Sequence, residues 1–169
     1  GSKRIFGKLL PLYERVEDWD STINLLSHFA QRENDEGTKA KYFFAIGSLQ
    51  RDQLRDNLQA VRSFDKALDA DPNMLKAFSA IEGLLTEERN FERQDRYFRK
   101  MLKRANDHQM SSDMVFELAT ALGEINRSRL SRFGEAIKAY NIALSKKPDS
   151  IETHEIIADL YERESQWDR

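Results

Sequence analysis

Ser63-Phe64-Asp65-Lys66 has the spacing of a Ser-x-x-Lys nucleophile, in which the lysine would activate the serine hydroxyl. Ser63, however, neighbours an apolar aromatic in a run of helical period, so the spacing is expected to be coincidence. His28, His108 and His154 are far apart, and none has a second ligand at i+3 or i+4, so no metal site is expected. Asn126-Arg127-Ser128 has the form of a glycosylation acceptor, which matters only in a secreted chain. No glycine-rich phosphate loop is present, and carboxylates such as Glu87 and Glu88 read as a solvated helix face with i,i+4 partners. These residues predict no catalysis and no cofactor.

Charge offers a second kind of chemistry. Arg89, Arg93, Arg96, Arg99, Lys100, Lys103 and Arg104 face only Glu92 and Asp95 between residues 89 and 104, with Phe91, Tyr97 and Phe98 interleaved. Such a stretch could grip RNA or another polyanion. The whole chain nevertheless has a formal net charge of −2, whereas a nucleic-acid face usually raises the pI of its domain. The simpler expectation is a solvated helix with core aromatics on its other side, and nucleic acid is not the expected partner.

The elements that would carry these residues follow from composition and period. The 169 residues are 40% hydrophobic and 33% charged, a mixture that suits helices with one wet and one dry face. There is no cysteine, which excludes disulfides and thiolate metal sites and leaves the compartment open. No apolar run approaches the roughly 20 residues of a membrane span. Gly1-Ser2 reads as a cloning remnant and is set aside.

Residues Ile46 to Pro72 repeat as Leu122 to Pro148 without a gap. Gly47 matches Gly123, Arg51 matches Arg127, Ala60 and Ala67 match Ala136 and Ala143, and Phe64 matches Tyr140. A half-period also shows. Leu84 to Phe91 aligns with Leu160 to Trp167, and Leu12 to Trp19 with both, which is the length of a helical-hairpin repeat. Pro72 and Pro148 sit at matching junctions, each followed by Asn or Asp, and end one helix before the next begins. The pattern predicts helix pairs near 4–17 and 19–34, 38–52 and 56–70, 74–88 and 91–106, and 110–127 and 132–146, then a lone helix near 150–164. Pro11 either kinks the first of these or starts it.

Ala60-x3-Phe64-x2-Ala67-x4-Pro72, repeated as Ala136-x3-Tyr140-x2-Ala143-x4-Pro148, resembles the tetratricopeptide repeat. The four alanines are the expected points of close helix approach, with the aromatic filling the seam. Trp19, Phe91 and Trp167 match the family's aromatic at the start of the second helix. Tyr13, Leu85 and Tyr161 match its large residue near the end of the first, and Ile46-Gly47 and Leu122-Gly123 match its leucine-glycine pair. In the third unit Gln94 and Met101 stand at the small positions, and in the first unit Thr22 and Phe29, so looser packing is expected there. One extra residue is expected at the turns 51–56 and 127–132.

The resemblance implies an all-α, right-handed alpha-alpha superhelix, a TPR-like solenoid of about four helix pairs plus one extra helix. It would form a single array over 3–169, with units of about 3–37, 38–73, 74–109 and 110–149 and a partial unit 150–169, as expected of an excised piece. It further implies a non-catalytic scaffold whose first helices line a concave groove for a partner peptide or helix. The groove positions would be Arg4, Lys41, Phe44, Ser48 and Arg51, then Lys76, Ser79 and Gly83. Glu117, Thr120, Glu124 and Arg127 follow, then Glu152, Glu155, Asp159 and Glu162, so charge would run from basic to acidic. Phe44 could instead pack against the first helix pair. Some members clamp a terminal carboxylate, but Gly7, Pro11, Ser48 and Ser79 hold those positions here and do not support that role. The rival expectations are polyanion binding through 89–104, and a structural spacer that self-associates end to end.

Overall fold

The computed structural model describes residues 18–167 together with Pro11. The helix expected over 4–17, with Arg4, Gly7 and Tyr13, lies outside the described residues. Among those described there are eight α-helices and no strand. They are α1 (Trp19–Arg32), α2 (Glu36–Asp52), α3 (Asn57–Ala70), α4 (Leu75–Glu87), α5 (Phe91–Asp107), α6 (Ser112–Glu124), α7 (Phe133–Lys146) and α8 (Ile151–Trp167).

Short polar side chains start most of these helices by accepting an otherwise unpaired amide. Asp18 accepts from Ser21, Asp35 from Thr38, Asp56 from Gln59, Asn90 from Arg93 and Ser111 from Met114. Both proline junctions form the same turn. Met74 N–H donates to Asp71 O at 3.1 Å, and Ser150 N–H to Lys147 O at 3.2 Å, with proline at the second position, where its fixed φ fits.

The extra residue at 51–56 and 127–132 is absorbed by widening the helix end. Leu54 N–H reaches back five residues to Leu49 O, and Leu130 N–H to Ile125 O. In the second case the widening is a five-residue π-helix, Ile125–Arg129. Arg55 (φ 56°) and Ser131 (φ 53°) then reverse the chain in the left-handed region at matched positions. The end of the chain differs from expectation. Trp167 does not begin a second helix of the last repeat but continues α8. A capping Asp18 or Asn90 precedes Trp19 and Phe91, whereas Gln166 precedes Trp167, and nothing between Glu162 and Gln166 stops the helix.

The chain divides into two compact halves, one ending at Leu84 and one beginning at Leu85. In the N-terminal half α2 packs on α3, and the ring of Phe64 lies against Gly47. A Cβ at Gly47 would sit 2.8 Å from the ring carbons. Ala60 and Ala67 have no exposed surface. In the C-terminal half α6 packs on α7 in the same way, with the Tyr140 ring 2.8 Å from where a Gly123 Cβ would stand, and Ala136 and Ala143 fully buried. All four alanines are therefore buried contact points, as the pattern required. α8 closes on α7 through Leu160, Ile156 and Ile157 packed against Ala136, Ile137 and Tyr140. Thr22, Gln94 and Met101 are buried as well, and Gln94 donates to Thr86 Oγ1 at 3.0 Å.

Another helical glycine marks the contrast. Gly83, on α4, has open space where its Cβ would stand. Gly47→Ala and Gly123→Ala are each expected to lower the unfolding free energy by about 1–3 kcal/mol through overpacking. Gly83→Ala is expected to raise it by about 0.5–1 kcal/mol through helix propensity. Urea unfolding followed by far-ultraviolet circular dichroism checks both signs, and equal effects at all three glycines would refute the ring-on-glycine account.

Candidate partner-binding face

In the N-terminal half, α2 places Lys41, Phe44, Ser48 and Arg51 at i, i+3, i+7 and i+10, one stripe of a helix. Lys41 is exposed and Phe44 half-buried. The Phe44 ring lies 5.3 Å from that of Phe64, and Lys76 Nζ stands 4.2 Å over its centroid. The Arg51 guanidinium is 5.6 Å from the Phe64 centroid and pairs with Asp52 at 2.7 Å, and this bond holds the Asp52 carboxyl below its usual range. Ser48 Oγ donates to Phe44 O at 3.0 Å. The structure thus sets Phe44 against Phe64 as an aromatic pair, with Lys76 over the Phe44 ring and Arg51 by the Phe64 ring. The Phe44 ring packs against its own helix pair and the following helix. Ser79 and Gly83 are exposed on α4 at i+3 and i+7 from Lys76.

In the C-terminal half, α6 carries Glu117, Thr120 and Glu124 on one stripe, and α8 carries Glu152, Glu155, Asp159 and Glu162 on another. Glu117, Glu152, Glu155 and Glu162 are exposed and have no ion-pair partner among the described residues. Asp159 pairs with Arg163 at 3.0 Å. The side chain of Thr120 is part-buried, and its Oγ1 is buried without a hydrogen-bond partner.

Glu124 is more heavily engaged than a groove-facing carboxylate would be. It accepts from Arg127 at 2.7 Å, from Tyr140 Oη at 3.1 Å and from Ser128. Burial pushes its pKa up, but the donors outweigh burial and hold it below the usual value. The same contact acts on Tyr140, where burial first and then the Glu124 charge push the phenol up to about 12. The pair therefore anchors the ring that seals Gly123.

Of the basic stretch 89–104, Arg89 stands in the left-handed turn before α5 (φ 53°) and the other cations lie on α5, where part of the charge is paired inside the C-terminal half. Arg99 pairs with Asp95 and with Glu135 of α7, both at 2.9 Å. Lys103 pairs with Asp107 at 3.3 Å, and Arg104 is buried. The carboxylate Glu92 takes Arg132 at 2.7 Å, and Arg129 covers Phe91 at 5.2 Å. Asn126, the formal glycosylation acceptor, has no exposed surface, and its amide donates to Asp95 at 2.6 Å. The sequence reading missed this buried Asp95–Asn126 bond. Its signal was an acid at an inward helix position beside an inward aromatic, Phe98. Lys147 was missed too. It spans Asp113 at 2.9 Å and the Phe116 ring at 4.6 Å.

The Ser63-x-x-Lys66 spacing is not a catalytic pair. Ser63 donates to Gln50 Oε1 at 2.6 Å, and Lys66 lies over the Phe43 ring at 5.7 Å. His28, His108 and His154 are all exposed. Among the described residues no three potential ligands group together, and no helix is long and apolar enough to cross a membrane.

The family model described as tetratricopeptide repeat matches residues 1–169. The chain belongs to the tetratricopeptide repeat family. Among solved structures it is similar to the N-terminal domain of stress-induced protein-1 from C. elegans, at 16% identity and TM-score 0.56 over 76% of this chain and 99% of that one. MamA from Desulfovibrio magneticus RS-1 matches at 16% identity and TM-score 0.46, covering 98% of this chain and 86% of MamA. TTC0263, a thermophilic TPR protein of Thermus thermophilus, matches at 16% identity and TM-score 0.40, over 90% and 78%. No curated protein matches the sequence. The tetratricopeptide repeat fold supports a protein-interaction scaffold, and no catalytic role is indicated.

The Tyr140–Glu124 contact has a measurable consequence. A phenol whose folded pKa exceeds its unfolded one stabilises the protein below the unfolded value, and that stability is lost as pH rises through the folded value. Unfolding free energy should therefore fall between about pH 10 and pH 12 in the wild type. The fall should be shallower in Tyr140→Phe. Denaturation at a series of alkaline pH values checks this, and identical profiles would refute it.

Proposed function

We propose that the protein is a non-catalytic scaffold that binds a peptide or helix of a protein partner in a concave groove lined by the first helices of its repeats. One observation carries this reading. On the first helices α6 and α8, Glu117, Glu152, Glu155 and Glu162 are exposed and unpaired, while the carboxylates of α5 and α7 at Glu92, Asp95 and Glu135 are all paired. Unpaired acids on one set of helices form a field that a basic partner segment can complete. In the N-terminal half the corresponding face offers Lys41, Lys76 and the Phe44 ring, with Ser48, Arg51 and Ser79 beside them. That face suits acidic and apolar groups. A partner would be oriented by charge, with a few desolvated anchors such as Phe44 supplying affinity.

Polyanion binding through α5 is the weaker reading, because Arg99 and Lys103 are paired and Arg104 is buried, which leaves Arg93 and Arg96 as its cations without an ion pair among the described residues. The test is capture of partners by the wild-type chain and by the Glu155→Lys, Asp159→Lys double variant. The variant is expected to weaken capture of basic partners by about tenfold or more. Recovery of the same partners in equal yield would show that the acidic face is irrelevant. Capture that survives the variant and collapses with added salt would favour a polyanion instead.

A further inference from the structure

In the N-terminal half a cleft of about 440 Å³ opens between α1 and α3 and is floored by α2. Phe43, Ile46 and Gln50 form the floor, Ser27 stands on the α1 side, and Gln59, Arg62 and Lys66 line the α3 side. A smaller cavity shares Phe43, Lys66 and Asp69 and extends the cleft toward Ala70 and the Lys39–Glu36 ion pair. At about 100° per residue, the floor positions lie roughly 145° around α2 from the stripe of Lys41, Phe44, Ser48 and Arg51. The cleft is therefore separate from the face argued above.

The C-terminal half explains why the cleft is open. α1 aligns with α5 from their caps, Asp18 with Asn90, and the α2–α3 pair aligns with α6–α7 from Gly47 and Gly123. In this register Ser27 stands where α5 has Arg99, Gln59 where α7 has Glu135, and Gln50 where the π-helix has Asn126. The C-terminal half bridges its helices here with Arg99–Glu135 at 2.9 Å and Asn126–Asp95 at 2.6 Å. The N-terminal half has short or neutral side chains at the same places.

The donors at the cleft set the chemistry of its occupant. Among the described residues Arg62 and Lys66 have no ion-pair partner, and they stand one helical turn apart on α3. Gln50 Oε1 already accepts from Ser63, so its amide N–H groups are what it can offer a guest. The carboxylates on the same wall, Asp65 and Asp69, are engaged in other contacts. Two cations without ion pairs, and the Gln50 amide beside Phe43 and Ile46, suit carboxylates interleaved with apolar side chains.

The geometry points to a second docking site, in the α1–α3 cleft, for an extended acidic peptide segment of a protein partner that seats an apolar side chain on Phe43 and Ile46 and its carboxylates on Arg62 and Lys66. Binding closes with a guest the gap that the C-terminal half closes with its own ion pair.

The probe is a synthetic peptide of alternating Glu and Leu, about eight residues and ~27 Å long when extended, slightly longer than α3. It is titrated into the 15N-labelled chain. Amide shifts are expected at Ser27, Gln50, Gln59 and Lys66. Arg62→Gln with Lys66→Gln should weaken binding by about tenfold or more. Ser27→Arg with Gln59→Glu, which installs the other half's bridge, should do the same. Circular dichroism confirms that each variant is folded. The same peptide with Gln in place of Glu should bind about tenfold more weakly, and Glu155→Lys with Asp159→Lys should change nothing. No shifts at the cleft, or affinity unchanged in both cleft variants, overturns the site. Equal binding of the Gln peptide overturns the carboxylate chemistry.

Discussion

A flat ring pressed onto a glycine is the contact on which the described structure depends most. Phe64 covers Gly47 and Tyr140 covers Gly123, and in both places a single added carbon would overlap the ring. The absence of a Cβ lets two helix backbones approach, and the alanines at Ala60, Ala67, Ala136 and Ala143 keep them close along the seam. Everything lateral to the seam is positioned by it. Phe44 packs at a tilt against Phe64 because Phe64 cannot recede, and Glu124 reaches the Tyr140 hydroxyl because the ring is pinned. Gly83 has no ring on it, so its presence in a helix has no packing reason within the described contacts.

Charge is distributed by the same geometry. In the C-terminal half the second helices α5 and α7 satisfy one another, with Arg99 bridging Asp95 and Glu135 and Arg132 reaching Glu92. These are largely exposed pairs, and each contributes little stability by itself. Their larger effect is to remove charges from the set that a partner can meet. On α6 and α8, Glu117, Glu152, Glu155 and Glu162 remain exposed without an ion pair among the described residues, so a nearly neutral chain still presents acidic side chains on α8 and a cationic, aromatic cluster on α2 and α4. The two halves also differ. One fills the space between its second helices with an ion pair, and the other leaves a cleft lined by Ser27, Gln50 and Gln59.

Much of the fold was legible because its determinants are local or periodic. Helix starts are marked by Asp18, Asp35, Asp56, Asn90 and Ser111, and two of the repeat junctions by Pro72 and Pro148. Gly47/Gly123 and Phe64/Tyr140 were readable as matched positions at constant spacing, and the structure adds that each ring rests on its glycine. The site was less legible. Arg127 and Glu124 look like free groove residues on a helical wheel, yet they hold each other. The excess of cations on α5 looks like one continuous patch, yet Arg99 and Lys103 are paired and Arg104 is buried, so fewer of them are available than the sequence suggests.

The amino-acid sequence by itself determined the helical hairpins, their register and the seam between helices of a pair, because caps, prolines and small residues act within a few positions of the backbone they control. The tertiary structure alone decided which charges stay available and where a cleft stands open. Long side chains such as Arg99 and Glu135 come from distant helices, and whether they meet depends on lateral spacing between those helices, which no periodic pattern encodes.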